Sequence, residues 1–267
     1  MFIKYGILVI YNKKISESRS YRSLLSQDLT LIVVDNSTER QFVDFNQSTV
    51  KQNHQIYITM EGNKGLPKAY NKAIDWIFSH KEDPNNYVVL LDDDTNIPSD
   101  FVKKMNEEIK KNLKSIYLPV VKDSLGILSP SKMSKHGYCH RIQRLEELTP
   151  QNICGINSGM VIQLLIFRDY RYDQRMFLDY VDHSFMRDMR NKNIKIQVVD
   201  TVLEQSFSAV TDSKSSARNR LRILKKDLNC FYDQGFISRI IYHYVMIRRI
   251  FRHIVYYKDI SILWALK

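Results

Sequence analysis

The run Tyr87-Val88-Val89-Leu90-Leu91-Asp92-Asp93-Asp94-Thr95-Asn96-Ile97-Pro98 constrains the fold more than any other part of the chain. Its five consecutive apolar or aromatic residues fit a strand covered on both faces, as found inside parallel sheets flanked by helices. Three carboxylates follow at what would be the carboxyl end of that strand, where open α/β sheets keep their ligand crevices. Adjacent anions repel one another unless a cation shares the site, which points to a hard divalent ion. Mg²⁺ in particular takes one or two carboxylates and completes its shell with water and substrate phosphate oxygens. A solvated acidic turn is the plain alternative.

Before that run the chain reads as strands joined by polar or helical connections. Ile3–Tyr11 is a first strand ending in Tyr11-Asn12. The opening residues have the apolar character of a leader, but Lys4 interrupts them and no small-residue cleavage site follows. Leu29–Val34 is a second strand, and it too runs into a carboxylate, at Asp35-Asn36-Ser37. Gln55–Met60 alternates as a strand does, and Glu61-Gly62-Asn63-Lys64-Gly65 makes a turn. Apolar residues at 66, 69, 70, 73, 74, 77 and 78 then have helical spacing. Past the acidic run, Pro98-Ser99-Asp100 opens a helix with Phe101, Val102, Met105 and Ile109 on one face. Ser115–Val121 and Ile194–Val199 are further strands. This succession predicts an α/β fold built on a mixed, mainly parallel sheet flanked by helices.

Between those last two strands lie the less regular segments. Gly155-Ile156-Asn157-Ser158-Gly159 precedes a short apolar strand, and its glycines permit close approach of a ligand or another backbone. Phe177-Leu178-Asp179-Tyr180-Val181-Asp182-His183 carries two acids expected to share one face at a helix start, where the dipole favours anions. His136-Gly137-Tyr138-Cys139-His140 has the residue types of a zinc site but no matching second half, so a structural or acceptor-contacting role is expected. Cys139, Cys154 and Cys230 show no paired spacing. Neither a disulfide framework nor a thiolate metal centre is expected, and a reducing compartment suits the chain.

Charge divides the chain. After Ser213 there are 12 Lys/Arg against 3 Asp/Glu, which accounts for nine of the net +11. Arg218–Tyr232 and Phe236–Tyr257 read as two helices broken at Asp233-Gln234-Gly235, the second with an apolar stripe and basic flanks. No run approaches the roughly 20 apolar residues of a spanning helix. The pattern is that of basic amphipathic helices lying on an anionic membrane surface, or of helices packed on the body with a solvated basic face. The expected organisation is residues 1–212 as the catalytic domain and residues 213–267 as a basic helical tail.

Taken in order, Ile10-Tyr11-Asn12, Val34-Asp35-Asn36-Ser37, Asn63-Lys64-Gly65, Asn71, Leu91-Asp92-Asp93-Asp94 and Asp179-Tyr180-Val181-Asp182 resemble the family 2 glycosyltransferases of the GT-A fold. The stretch at 179–182 and Arg218-Asn219 look most like the branch containing bacterial rhamnosyltransferases. The resemblance implies an inverting transfer from a nucleotide-diphosphate sugar, dTDP-rhamnose or a UDP-hexose. The implied acceptor is lipid-linked or a glycan, in surface polysaccharide or capsule synthesis on the cytoplasmic face of the plasma membrane. It implies Mg²⁺ or Mn²⁺ at Asp92 and Asp94, the DXD pair, with Asp94 preferred as the direct ligand. It also places Tyr11, Asp35, Asn63, Gly65, Asn71, Asp92 and Asp93 at the donor. Asp182 matches the general base, and Asp179 is the second choice. Arg187 stands one position before the place where that helix usually carries an arginine, and Asp188 occupies the place itself.

Two other classes compete. Haloacid-dehalogenase-like phosphatases also put Asp-x-Asp after a buried strand, but theirs is the first strand, and Asn96 stands where they carry Thr. A non-enzymatic nucleic-acid-binding protein would account for the positive charge. That charge is confined to the tail, however, and no nucleic-acid motif accompanies it.

Overall fold

The computed structural model describes residues 2–205 and 214–260, so the boundary expected at 212/213 lies outside the described residues. The first half contains β1 (Ile3–Ile10), α1 (Arg19–Leu24), β2 (Thr30–Asp35), α2 (Arg40–Gln52), β3 (Ile56–Thr59), α3 (Leu66–Ser79), β4 (Tyr87–Leu91), β5 (Thr95–Asn96) and α4 (Phe101–Lys111). Then come β6 (Ile116–Asp123), β7 (Gly126–Ser129), β8 (Ser131–Met133), β9 (Cys139–His140), β10 (Ile153–Cys154) and β11 (Val161–Gln163). The chain continues through α5 (Val181–Asn191), β12 (Ile196–Gln205), α6 (Lys214–Phe231) and α7 (Phe236–Tyr257). Two helices escaped the sequence reading, α1 and α2. Both are mostly polar, and α2 buries only Asn46 and Val50, so their apolar periodicity is faint.

The main sheet runs β3-β2-β1-β4-β11-β6-β12-β5, with β7 hydrogen-bonded to β6, and β8 lies between β10 and β9 in a small second sheet. Strands β3, β2, β1 and β4 are mutually parallel, β11 is antiparallel to both its neighbours, and β12 is parallel to β6. Every residue of β4 is buried, and its alternation divides the core. Val88 and Leu90 face the layer containing α3, while Tyr87, Val89 and Leu91 face the layer containing α4. That double coverage is what the unbroken apolar run requires. The chain therefore has the mixed, mostly parallel sheet flanked by helices that the sequence predicts.

Gly155 and Gly159 do permit close approach, but of side chains within the protein. A Cβ on Gly155 would meet Leu118, and one on Gly159 would lie 2.5 Å from Leu203.

The segment expected as a tail contributes to the same core. Leu221, Leu224, Leu228, Phe231 and Tyr232 of α6 and its end are buried in the layer that holds α3 and α5. From α7, Tyr242 and Met246 reach that layer, with Ile241, Val245 and Ile250 partly covered against it. The opposite side of α7 leaves Ile237, Ile240, Tyr244, Ile247, Phe251 and Val255 exposed, a stripe with spacings of three and four residues. No helix among the described residues is long and apolar enough to cross a membrane.

Candidate active site

Strand β4 delivers the three carboxylates to the edge of the sheet, and they diverge there. Asp93 turns to Lys13, with an ion pair at 2.7 Å. Asp92 accepts a hydrogen bond from the Ser158 hydroxyl. The Gln205 amide, at the end of β12, donates to Asp94 at 2.9 Å and reaches Asp92 at 3.4 Å. Burial pushes the Asp92 carboxyl up to about 6; the Ser158 bond opposes this, while the like charges of Asp94 and Asp182 add to it. Burial also raises Asp94, against its bond from Gln205. Two oxygen-donor groups held above their ordinary range by burial and mutual repulsion are what an arriving divalent cation relieves, and an all-oxygen donor set suits Mg²⁺ or Mn²⁺. Ser158 and Gln205 were not anticipated; both lie more than 60 residues from Asp92 and belong to no recognisable pattern.

Other sequence-predicted donor residues divide into surface and scaffold. Tyr11 is half exposed at the end of β1. Beside it, the Asn12 backbone N–H donates to Ser37 Oγ and the Asn12 side chain bonds to Thr38, so the loops after β1 and β2 are tied together. Asp35 is fully buried and stands behind this surface, accepting from Ser37 N, Asn46 Nδ2 and the Tyr57 hydroxyl. Asn63 accepts from Gly65 N. Gly65 itself has φ +87°, and a Cβ there would lie 2.8 Å from the Phe177 carbonyl oxygen, so glycine is needed for packing against the 177 loop. Asn71 is another residue expected at the donor. It is buried, and its amide exchanges two hydrogen bonds of 2.9 Å with the backbone of Tyr172, so it serves the scaffold.

Across from β4, the two candidate bases do not share a helix face as expected. Asp179 precedes α5, and Tyr180, with φ +62° in the left-handed region, turns the chain before the helix begins. Asp179 pairs with Arg220 of α6 at 2.8 Å. Asp182 lies in the first turn of α5, with Oδ1 accepting from His183 N at 2.7 Å and bonded to His183 Nδ1 at 2.8 Å. Burial opposes a charge on His183, but the Asp182 carboxylate, with Cys154 and Asp179 adding to it, outweighs this and the imidazole is pushed up to about 9. The loop before α5 is fastened from α6. Buried Asp227 accepts backbone N–H bonds from Phe177, Leu178 and Asp179 at 2.7, 2.8 and 2.8 Å. Arg187 donates to the Phe231 carbonyl and lies over its ring, so it binds α6 and not the cavity.

Asp92, Asp179 and Asp182 line one cavity of about 690 Å³. Its far rim carries Arg220, Arg248, Arg249 and Arg252 from α6 and α7. Burial and the neighbouring Arg220 and Arg252 lower Arg249, with Asp179 pulling the other way. Asp179 is the carboxylate that offsets this group, so the rim carries excess positive charge.

The family model described as Glycosyl transferase family 2 matches residues 7–173, more than half of the chain. No curated protein matches it in sequence. Among solved structures, S. aureus TarS is 19% identical with a TM-score of 0.55; the likeness covers 85% of this chain but 40% of that one, and 65% of the TarS 1–349 segment in complex with UDP. The mannosyltransferase PcManGT from Pyrobaculum calidifontis, in complex with GDP-Man and Mn²⁺, is 13% identical over 99% of this chain and 78% of its own, with a TM-score of 0.56. GalNAc-T7 with UDP, GalNAc and Mn²⁺ is 12% identical over 92% and 54%, with a TM-score of 0.57. At these identities the likeness is one of fold.

Proposed function

The chain belongs to glycosyl transferase family 2, and from that premise we propose that it is an inverting, metal-dependent transferase acting from a nucleotide-diphosphate sugar at the cavity between β4 and α5. The observation that carries this reading is the placement of Asp92 and Asp182 on the lining of one cavity, near enough that the charge of one raises the pKa of the other. Asp92 and Asp94 would hold Mg²⁺ or Mn²⁺, which when bound stabilises charge on the departing nucleoside diphosphate without proton transfer. Exposed Tyr11 supplies a face for the base, and Asp35 and Asn63 fix the loops around it. Asp93 would act through Lys13, holding its ammonium for the donor phosphates.

On the other wall, Asp182 accepts the proton of the attacking hydroxyl. His183 holds its Oδ1, leaving Oδ2 without a protein donor among the described residues. Asp179, engaged by Arg220, is given the role of positioning the loop. One displacement by the acceptor inverts the sugar carbon, so no second carboxylate need serve as nucleophile. The arginine rim favours an acceptor bearing phosphate, since guanidinium groups pair with it through charge-assisted bonds. A lipid-linked sugar meets that description. The exposed apolar stripe of α7 with Arg239, Arg248 and Arg252 beside it would rest on an anionic membrane carrying such an acceptor. The rhamnosyltransferase-like branch makes dTDP-rhamnose the first donor to try.

The test is release of nucleoside diphosphate from dTDP-rhamnose, UDP-hexoses and GDP-mannose with Mg²⁺ or Mn²⁺. Turnover of at least one donor, lost in EDTA and restored by either ion, is expected. Metal-independent turnover would contradict the cation's role, and no turnover of any donor, with lipid-linked acceptors present, would contradict the transfer reading.

A further inference from the structure

Behind the Asp182 wall the fold gathers three groups that the sequence keeps far apart. Ligand atoms of Cys139, Cys154 and His183 all lie within 4.8 Å of one another. Cys139 stands on β9, Cys154 on β10 and His183 in the first turn of α5. Cys154 is fully buried, whereas Cys139 and His183 reach the cavity wall. The Nδ1 atom of His183 is engaged by Asp182 at 2.8 Å, so Nε2 is the nitrogen left for the sulfurs.

We propose that Cys139, Cys154 and His183 form a zinc site, with Asp182 as the carboxylate that orients the histidine ligand and the fourth position turned to the cavity. Thiolate and imidazole are the donors zinc prefers, at about 2.3 Å to sulfur and 2.0–2.1 Å to nitrogen. Tetrahedral bonds of those lengths set ligand atoms roughly 3.5–3.8 Å apart, inside the 4.8 Å within which these atoms lie. The imidazole–carboxylate pair is the arrangement that fixes a ligating histidine's tautomer and ring plane.

A disulfide is the competing use of two adjacent thiols, and the small sheet argues against it. Its order is β10-β8-β9, with Cys139 opposite Met133 and Cys154 opposite Ser131. Two strand spacings separate the cysteine backbones by roughly 9–10 Å, beyond the ~4.4–6.8 Å between Cα atoms that a disulfide spans. A metal ion adds two bonds to the bridge and removes that mismatch. These donors are soft, unlike Asp92 and Asp94, so the site is distinct from the one proposed for Mg²⁺ or Mn²⁺.

The experiment is metal analysis of the full chain after exposure to Zn²⁺ and dialysis, with Co²⁺ substitution as a spectroscopic readout. One zinc per chain and a thiolate-to-cobalt charge-transfer band are expected. Both should be lost in Cys139→Ser and in Cys154→Ser, and retained in Cys230→Ser. Cys139 is only partly buried, so its variant remains informative if Cys154→Ser folds poorly. Asp182→Asn should weaken zinc binding about tenfold, as loss of an orienting partner does. Under one tenth of a zinc per chain, equal zinc in the wild type and both cysteine variants, or a Cys139–Cys154 disulfide in the purified protein would overturn the proposal. None of these readouts depends on sugar transfer, so failure here and failure of the transferase reading are separable.

Discussion

On the β4 side of the cavity, Asp92 and Asp94 stand where a fully buried strand leaves the sheet, so its two hydrogen-bonded neighbours, β1 parallel and β11 antiparallel, fix their place. On the α5 side, Asp182 follows a loop whose three successive N–H groups are held by Asp227 of α6, and Asp179 in that loop is held by Arg220 of the same helix. One wall is placed by sheet register and trimmed by hydrogen bonds from Ser158 and Gln205. The other is made by contacts spanning more than 40 residues. The donor half is therefore expected to survive perturbation of α6, while the acceptor half is not.

The largest expected effect separates chemistry from binding on the α5 wall. Asp182→Asn should lower turnover by about 10²–10⁴, the usual contribution of a general base, while nucleotide affinity measured by calorimetry stays the same. If Asp179→Asn is the dead variant and Asp182→Asn turns over normally, the two residues exchange roles.

The next tests whether α6 builds that wall. Asp227→Ala leaves three N–H groups without their charged acceptor and should cost about 3 kcal/mol or more, read as a lower denaturation midpoint. Transfer to acceptor should fall further than hydrolysis of donor. A midpoint within error of the wild type would show that the loop holds itself and would dissolve the contrast between the walls.

Smaller effects belong to the rim. Arg252→Ala should raise KM for a phosphate-bearing acceptor about tenfold, equivalent to 1.4 kcal/mol, and leave kcat and donor KM nearly unchanged. An equal effect on an uncharged acceptor would mean the rim does not read charge. Smallest in stability is Phe251→Ser on the exposed stripe of α7, expected within about 0.5 kcal/mol of the wild type. Its sedimentation with anionic vesicles should nevertheless weaken, and undiminished sedimentation would remove the stripe from any membrane contact.

The same contrast explains what could be read in the chain beforehand. Strand ends carrying Tyr11, Asp35 and Asp92–Asp94 are legible because an apolar run followed by a polar residue marks both the strand and its exit. Helix α3 is legible from its spacing, but the bonds of Asn71 to Tyr172 are not, because a buried amide and a surface amide look alike in sequence. The expected tail was read from charge, which reports the solvent side of α6 and α7 and is blind to Leu224, Leu228 and Asp227 beneath. Cysteine spacing is silent on the meeting of Cys139 and Cys154 for a similar reason: they approach across the outer strands of a small sheet, and His183 reaches them from α5. Local pattern marks the carboxylates of both walls, and only tertiary structure supplies the groups that hold them, Ser158 and Gln205 on one side and Arg220 and Asp227 on the other.

The most direct measurement is nucleoside diphosphate release with donor and acceptor present, comparing wild type and Asp94→Asn across a titration of Mn²⁺. Removing one of two repelling carboxylates should leave thermal stability the same or slightly higher, while turnover falls about 10³-fold or more, several kcal/mol of lost charge stabilisation. Wild-type rates in Asp94→Asn at every Mn²⁺ concentration would contradict the account.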